Sequence, residues 1–138
     1  MITKKIDWQI VVLVCSLIII MIMGVRQSLG LFLEPISQFM KNGKEFFSFA
    51  IGFQAIIWGL LTFGLGILID KFGPQKILAF GIICFSSGIF LMSNPSNELT
   101  LLSSTTLMGF GLGGAGMATM VSIAGKVAPI EKRSLAMG

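Results

Sequence analysis

The sequence predicts an all-α fold, a polytopic bundle of four transmembrane helices. Three observations predict it. Only 12% of the 138 residues are charged while 54% are hydrophobic, whereas soluble domains carry about 25% charged residues. The charges are gathered into short segments, so that Ile10–Val25, Phe46–Ile69, Ile77–Ser93 and Leu99–Gly125 contain none. These runs also lack the period-two alternation of a membrane barrel, and a lone apolar strand cannot satisfy its backbone in lipid.

A helix needs about 20 apolar residues to cross a bilayer. The first run is too short alone, but the apolar pattern resumes beyond Arg26, so one helix is expected over 8–39. Trp8 suits the interface, and Pro35 is expected to kink the far end. Lys4 and Lys5 ahead of an apolar stretch fit the opening of a cleaved signal peptide, but no small-residue cleavage site appears after it. Beyond the turn Lys41-Asn42-Gly43-Lys44, a second helix is expected over 45–69. A loop from Asp70 to Lys76, marked by Gly73-Pro74, leads to a third over 77–93. Asn94-Pro95-Ser96-Asn97 turns into a fourth over 98–125. Pro129 marks the next break, and 134–138 reads as the opening of a fifth helix, so a truncated chain is expected. Connections this short make neighbouring helices antiparallel.

The net charge of +4 does not point to nucleic acid, because the basic residues sort by loop. Lys4, Lys5, Lys71, Lys76, Lys126, Lys132 and Arg133 fall on one side, Lys41 and Lys44 on the other, and Arg26 inside the membrane. The positive-inside rule then puts both ends of this segment in the cytoplasm, with the helices in the cell membrane. Cys15 and Cys84 both sit in apolar runs and read as small core or lipid-facing residues. There is no histidine, which excludes a His-based metal site or proton relay in this segment. No catalytic constellation is present, so no enzyme activity, cofactor or metal is expected.

The most specific motif is Gly66-Ile67-Leu68-Ile69-Asp70-Lys71-Phe72-Gly73-Pro74-Gln75-Lys76. Gly66 is expected to let the second helix approach a neighbour closely. Asp70 lies one turn later on the same face, placed to dock against a helix N-terminus. Gly73 permits a tight turn, and Lys71 and Lys76 hold the loop on the cytoplasmic side. This pattern resembles the signature between helices 2 and 3 of the major facilitator superfamily. Gln75 departs from it where a base is common. The resemblance implies that Gly66, Asp70, Lys71, Gly73 and Lys76 form a conformational switch locking the outward-open state against the second half of a transporter.

The fourth helix contains Gly109-Phe110-Gly111-Leu112-Gly113-Gly114-Ala115-Gly116. Gly109, Gly111 and Gly114 satisfy the dinucleotide pattern GxGxxG, but that pattern needs a preceding strand and a water-accessible helix start. Here it lies deep in an uncharged run. Gly109 and Gly113 instead form a GxxxG packing surface, with Gly111 and Ala115 as a second small pair.

Arg26 is the charge fully inside the membrane. A central arginine is costly and is expected to face a cavity or partner; a snorkelling or structurally paired arginine is the alternative. Glu34 lies about 12 Å further along the helix, too far for a direct pair within it. Arg26, Ser28, Gly30, Phe32, Glu34 and Pro35 resemble the first helix of the monocarboxylate-transporter and oxalate/formate-antiporter-like branch. Gln54 and Trp58, spaced i and i+4, are candidates to line the cavity, as donor and aromatic wall; for Trp58 a lipid-facing position is the alternative. Pro129 to Gly138 resembles the family's link into helix 5, where Glu131 and Arg133 are candidates to join Asp70 and Lys71 in a cytoplasmic ion network.

The resemblance implies secondary active transport of a small solute by alternating access. Arg26 points to a carboxylate anion, with a coupling proton or counter-substrate. The remaining transporter helices and the lipid bilayer are the implied partners, and this chain alone is not expected to transport. The rivals are an efflux transporter of another substrate class and a four-helix membrane scaffold.

Overall fold

The computed structural model describes residues 7–39, 43–94 and 96–137. Lys4, Lys5, Lys41, Asn42, Pro95 and Gly138, which carried parts of the topology and turn assignments, lie outside them. The element order is α1 (Trp8–Ser28), a 3-10 turn (Leu29–Phe32), α2 (Leu33–Phe39), α3 (Gly43–Phe72), α4 (Pro74–Met92), α5 (Glu98–Ala115), α6 (Met117–Val127), a second 3-10 turn (Ile130–Lys132) and α7 (Arg133–Met137). No strand occurs among the described residues. Four stretches are long and apolar enough to cross a membrane: Trp8–Ile36, Lys44–Phe72, Pro74–Met92 and Glu98–Val127. The fold is all-α.

Three boundaries differ from the sequence expectation. The first span is not kinked at Pro35 itself. It tightens into the 3-10 turn Leu29–Phe32 just before. Proline has no N–H to give to the carbonyl four residues back, and its ring crowds that carbonyl, so the distortion falls one turn upstream.

The expected seven-residue loop between the second and third spans shrinks to one residue. α3 continues to Phe72 and α4 starts at Pro74. Gly73 between them has φ 84°, a left-handed conformation favourable only to glycine. Its N–H closes α3 on the Ile69 carbonyl at 2.9 Å. Proline suits the first position of α4 because that N–H would have no helical partner anyway.

The fourth span is broken. α5 ends at Ala115, Gly116 is extended (φ −79°, ψ −174°), and α6 starts at Met117. Each glycine in a helix costs about 1 kcal/mol relative to alanine, and five fall between Gly109 and Gly116. At the other end, Asn97 caps α5, its Oδ1 accepting from Thr100 N–H at 2.9 Å and Thr100 Oγ1 at 2.8 Å.

The broken span is the centre of the bundle. Within its most apolar window 67% of residues are buried, against 11% in the first and second spans. Lipid tails are as apolar as leucine, so close contact between helices rests on packing and small residues. α5 presents two glycine faces. On one, Gly109 lies against Gln54 and Ile57 of α3, and Gly113 against Leu61. On the other, a Cβ at Gly111 would meet Phe85 Cβ of α4 at 2.5 Å, and one at Gly114 would meet Gly81 Cα at 2.8 Å. Gly81 and Gly88 of α4 complete this second contact, Gly88 against Met108 and Ser104. Neither was singled out by sequence. Their spacing of seven on one apolar helix was the available signal.

Candidate functional site

Arg26 and Trp58 come together between the first and second spans, while Gln54, one turn before Trp58, lies against Gly109 of the fourth span. Trp58 is the midpoint of the Lys44–Phe72 span. The Arg26 guanidinium lies over its ring, 4.9 Å from the centroid. Both side chains are half-buried. Arg26 also lines a cleft of about 440 Å³ with Gln27, Leu29, Leu33, Phe47 and Ile51. The partner of the intramembrane arginine is therefore an aromatic face from the next helix.

That partner offsets only part of the cost. A mid-membrane arginine costs about 2.5–3.5 kcal/mol on insertion scales. A cation–π contact returns about 0.5–2 kcal/mol, more when desolvated. Arg26 Nε remains buried without a hydrogen-bond partner. Gln54, one turn before Trp58, is 1% exposed, and neither its Nε2 nor its Oε1 is hydrogen-bonded. Polar groups buried this way normally have partners, so the arrangement has spare donors and an acceptor at mid-span.

Glu34 reaches Lys44 across the turn between α2 and α3, at 3.7 Å with both side chains largely exposed. An exposed pair of this kind adds little to stability.

The motif from Gly66 to Lys76 is arranged differently from the expectation. A Cβ at Gly66 would meet nothing within 4 Å, so Gly66 makes no close approach among the described residues. Gly66 and Asp70, one turn apart, are both exposed. Asp70 is exposed in the last turn of α3 and docks against no helix N-terminus among the described residues. Lys71 lies over the Phe72 ring, 5.4 Å from its centroid, and Lys76 is exposed. The expected ion network of Glu131, Arg133, Asp70 and Lys71 does not form among the described residues. Lys132 instead sits over the Trp8 ring at 5.8 Å, fastening the segment after α6 to the start of α1, while Glu131 and Arg133 are exposed.

Sequence reasoning missed the break at Gly116 and the buried threonine beyond it. Thr119 is fully buried and its Oγ1 has no hydrogen-bond partner. Its isolation has a local cause. Buried Ser104 and Thr105 return their hydroxyls to the Leu101 carbonyl, at 2.7 and 3.1 Å. The carbonyls in the same relation to Thr119 belong to Gly116 and Ala115, where the helix is interrupted.

Three apolar helical spans packed around a glycine-lined fourth, with one arginine held inside the first, define a polytopic helical membrane protein. The chain belongs to the major facilitator superfamily, whose model matches residues 12–138. It is 36% identical over 90 residues to an uncharacterized MFS-type transporter of Methanocaldococcus jannaschii, covering 65% of this chain and 23% of that protein. It is 27% identical over 72 residues to an uncharacterized MFS-type transporter of Bacillus subtilis, covering 52% of this chain and 18% of the relative. It is also 34% identical over 68 residues to the human large neutral amino acids transporter small subunit 3, covering 49% of this chain and 12% of the relative. The chain thus spans less than a quarter of the length of these curated relatives. No solved structure matches significantly.

Proposed function

We propose that this chain is the N-terminal part of a secondary active transporter that moves a small carboxylate anion by alternating access. Its site lies between two six-helix halves near the bilayer midplane, as in related transporters. The observation that carries the carboxylate is Arg26, whose guanidinium is half-buried over Trp58 with Nε lacking a partner. Guanidinium is permanently charged and matches a carboxylate in a planar, two-pronged geometry. Such an anion supplies the partner that the indole ring does not. Gln54 is a hydrogen-bonding reserve one turn away. A coupling proton or counter-substrate accompanies the anion, and the ends of this segment lie in the cytoplasm. Gly66, Asp70, Lys71, Gly73 and Lys76 act as the conformational switch against helices of the second half.

A zwitterionic amino acid is the second reading, favoured by the human relative's name; it presents the same carboxylate to Arg26.

The test is substrate affinity of the purified full-length protein in detergent. Lactate, leucine and glucose serve as anionic, zwitterionic and neutral probes. A hydrogen bond to a charged group contributes about 1.5–3 kcal/mol, so Arg26→Gln weakens lactate binding roughly 10- to 150-fold, and Arg26→Lys weakens it less. Normal lactate binding by a folded Arg26→Gln protein refutes the carboxylate assignment. Tighter binding of leucine than lactate selects the second reading.

A further inference from the structure

The break in the fourth span leaves backbone polar groups without helical partners in the most buried part of the molecule. The carbonyls at the end of α5 and the first N–H groups of α6 have no intrahelical bond. Met120 N–H closes on the Gly116 carbonyl at 3.3 Å, which leaves the N–H groups of Met117, Ala118 and Thr119 free of helical acceptors. Thr119 is the third residue of α6. Helical side chains lean toward the helix N-terminus, so its hydroxyl, fully buried and without a partner, leans back toward the break.

Trp58 reaches the same place from α3. Its Nε1 lies 3.6 Å from where a Cβ on Gly116 would sit, and an indole N–H can only donate. A side chain at Gly116 would also collide with the Leu112 carbonyl. Glycine is therefore the residue that fits between the Leu112 carbonyl and the indole edge. Arg26 covers the face of the same ring. Its charge disfavours a cation at the exposed carbonyls and favours an anion at the exposed N–H groups.

We propose that the Gly116 break is a second anchoring point for the substrate. The α6 N-terminus, the Thr119 hydroxyl and Trp58 Nε1–H receive a second oxygen-acceptor group, while Arg26 holds the first carboxylate. The substrate class this selects is a short carboxylate with a further anionic or acceptor oxygen group, such as a dicarboxylate. This rests on the reading of Arg26 as a carboxylate ligand. The helix end supplies a positive pole for the second group, as the half-helices of other transporters do for anionic substrates.

The experiment compares succinate with butyrate, which share a four-carbon chain and differ at one end. Binding of each is measured on the purified full-length protein and on Arg26→Gln, Thr119→Val and Trp58→Phe, with a melting curve for each without ligand. Wild type binds succinate the more tightly. Thr119→Val weakens succinate about tenfold or more, the effect of one hydrogen bond to a charged group, and leaves butyrate within about twofold, while Trp58→Phe, whose ring lies under Arg26, weakens succinate more than butyrate. Arg26→Gln weakens both. Thr119→Val without ligand melts no lower than wild type, since it removes a buried hydroxyl that has no partner.

If Arg26→Gln changes neither affinity, or wild type binds neither probe, the carboxylate reading fails and this proposal with it. If Arg26→Gln weakens both probes but Thr119→Val and Trp58→Phe change both equally or neither, the second anchor alone is overturned. A Thr119→Val protein that melts lower and binds succinate normally also overturns it, since the hydroxyl then serves only a structural water.

Discussion

Gly81→Ala tests whether the α4–α5 contact organises the bundle. The added methyl would meet the Gly114 carbonyl carbon at 2.5 Å and Gly114 Cα at 2.9 Å, with the Ala115 nitrogen closer still, where ordinary contact begins near 3.4 Å. All three atoms are backbone, so no side chain can rotate away and the helices must part by about 1 Å. A gap of that size forfeits a quarter to a half of the dispersion energy of the atoms that face it. Overpacking of this kind costs about 1–3 kcal/mol, and a rigid backbone neighbour places it toward the upper end. Alanine recovers about 1 kcal/mol of helix propensity, leaving a net loss of about 2 kcal/mol. Gly64→Ala is the control. A Cβ there meets nothing within 4 Å, so only the propensity gain of up to about 1 kcal/mol applies. The assay is equilibrium unfolding of the full-length protein in mixed micelles, followed by thiol labelling at buried Cys84. A Gly81→Ala protein as stable as Gly64→Ala would refute the packing argument.

Asn97→Ala removes the cap on α5 and lowers stability by about 0.5–2 kcal/mol, read in the same unfolding assay; an unchanged midpoint would mean that solvent replaces the cap fully. Single cysteines at Asn42 and Asn97 react with an impermeant external reagent on intact cells while one at Gln75 does not; the reverse pattern inverts the proposed topology. Asp70→Asn in the full-length transporter slows turnover more than it weakens substrate binding, measured separately by proteoliposome exchange and by ligand-induced melting shifts. Lost binding with normal turnover of the residual bound protein would remove Asp70 from the switch.

The all-α class and the four spans were legible because a bilayer tolerates few charges, and the gaps between charged residues mark the crossings directly. The Asp70–Lys76 motif was legible too, along with the role of Gly73, because a positive φ before a proline leaves little choice of residue. Arg26 and the Gln54–Trp58 pair were recognisable as candidates by the cost of a buried charge and by helical spacing. Which ring the guanidinium covers was not, since that contact joins residues 32 apart in the sequence through the packing of two helices.

Other features depended on the neighbours. Gly66 and Gly81 look alike in sequence, each a glycine in an apolar helix. Only the assembled bundle makes one open and the other a point of backbone contact. The break at Gly116 was hidden inside a continuous uncharged run, because hydropathy counts side chains and is blind to backbone hydrogen bonds. The unsatisfied Thr119 hydroxyl follows from that break. Composition thus determined that the chain enters the membrane and where, through the energy of placing charge in lipid. The tertiary structure decided which glycines touch, which polar groups lose their partners and where Arg26 finds its ring, because those depend on distances between helices that no local pattern encodes.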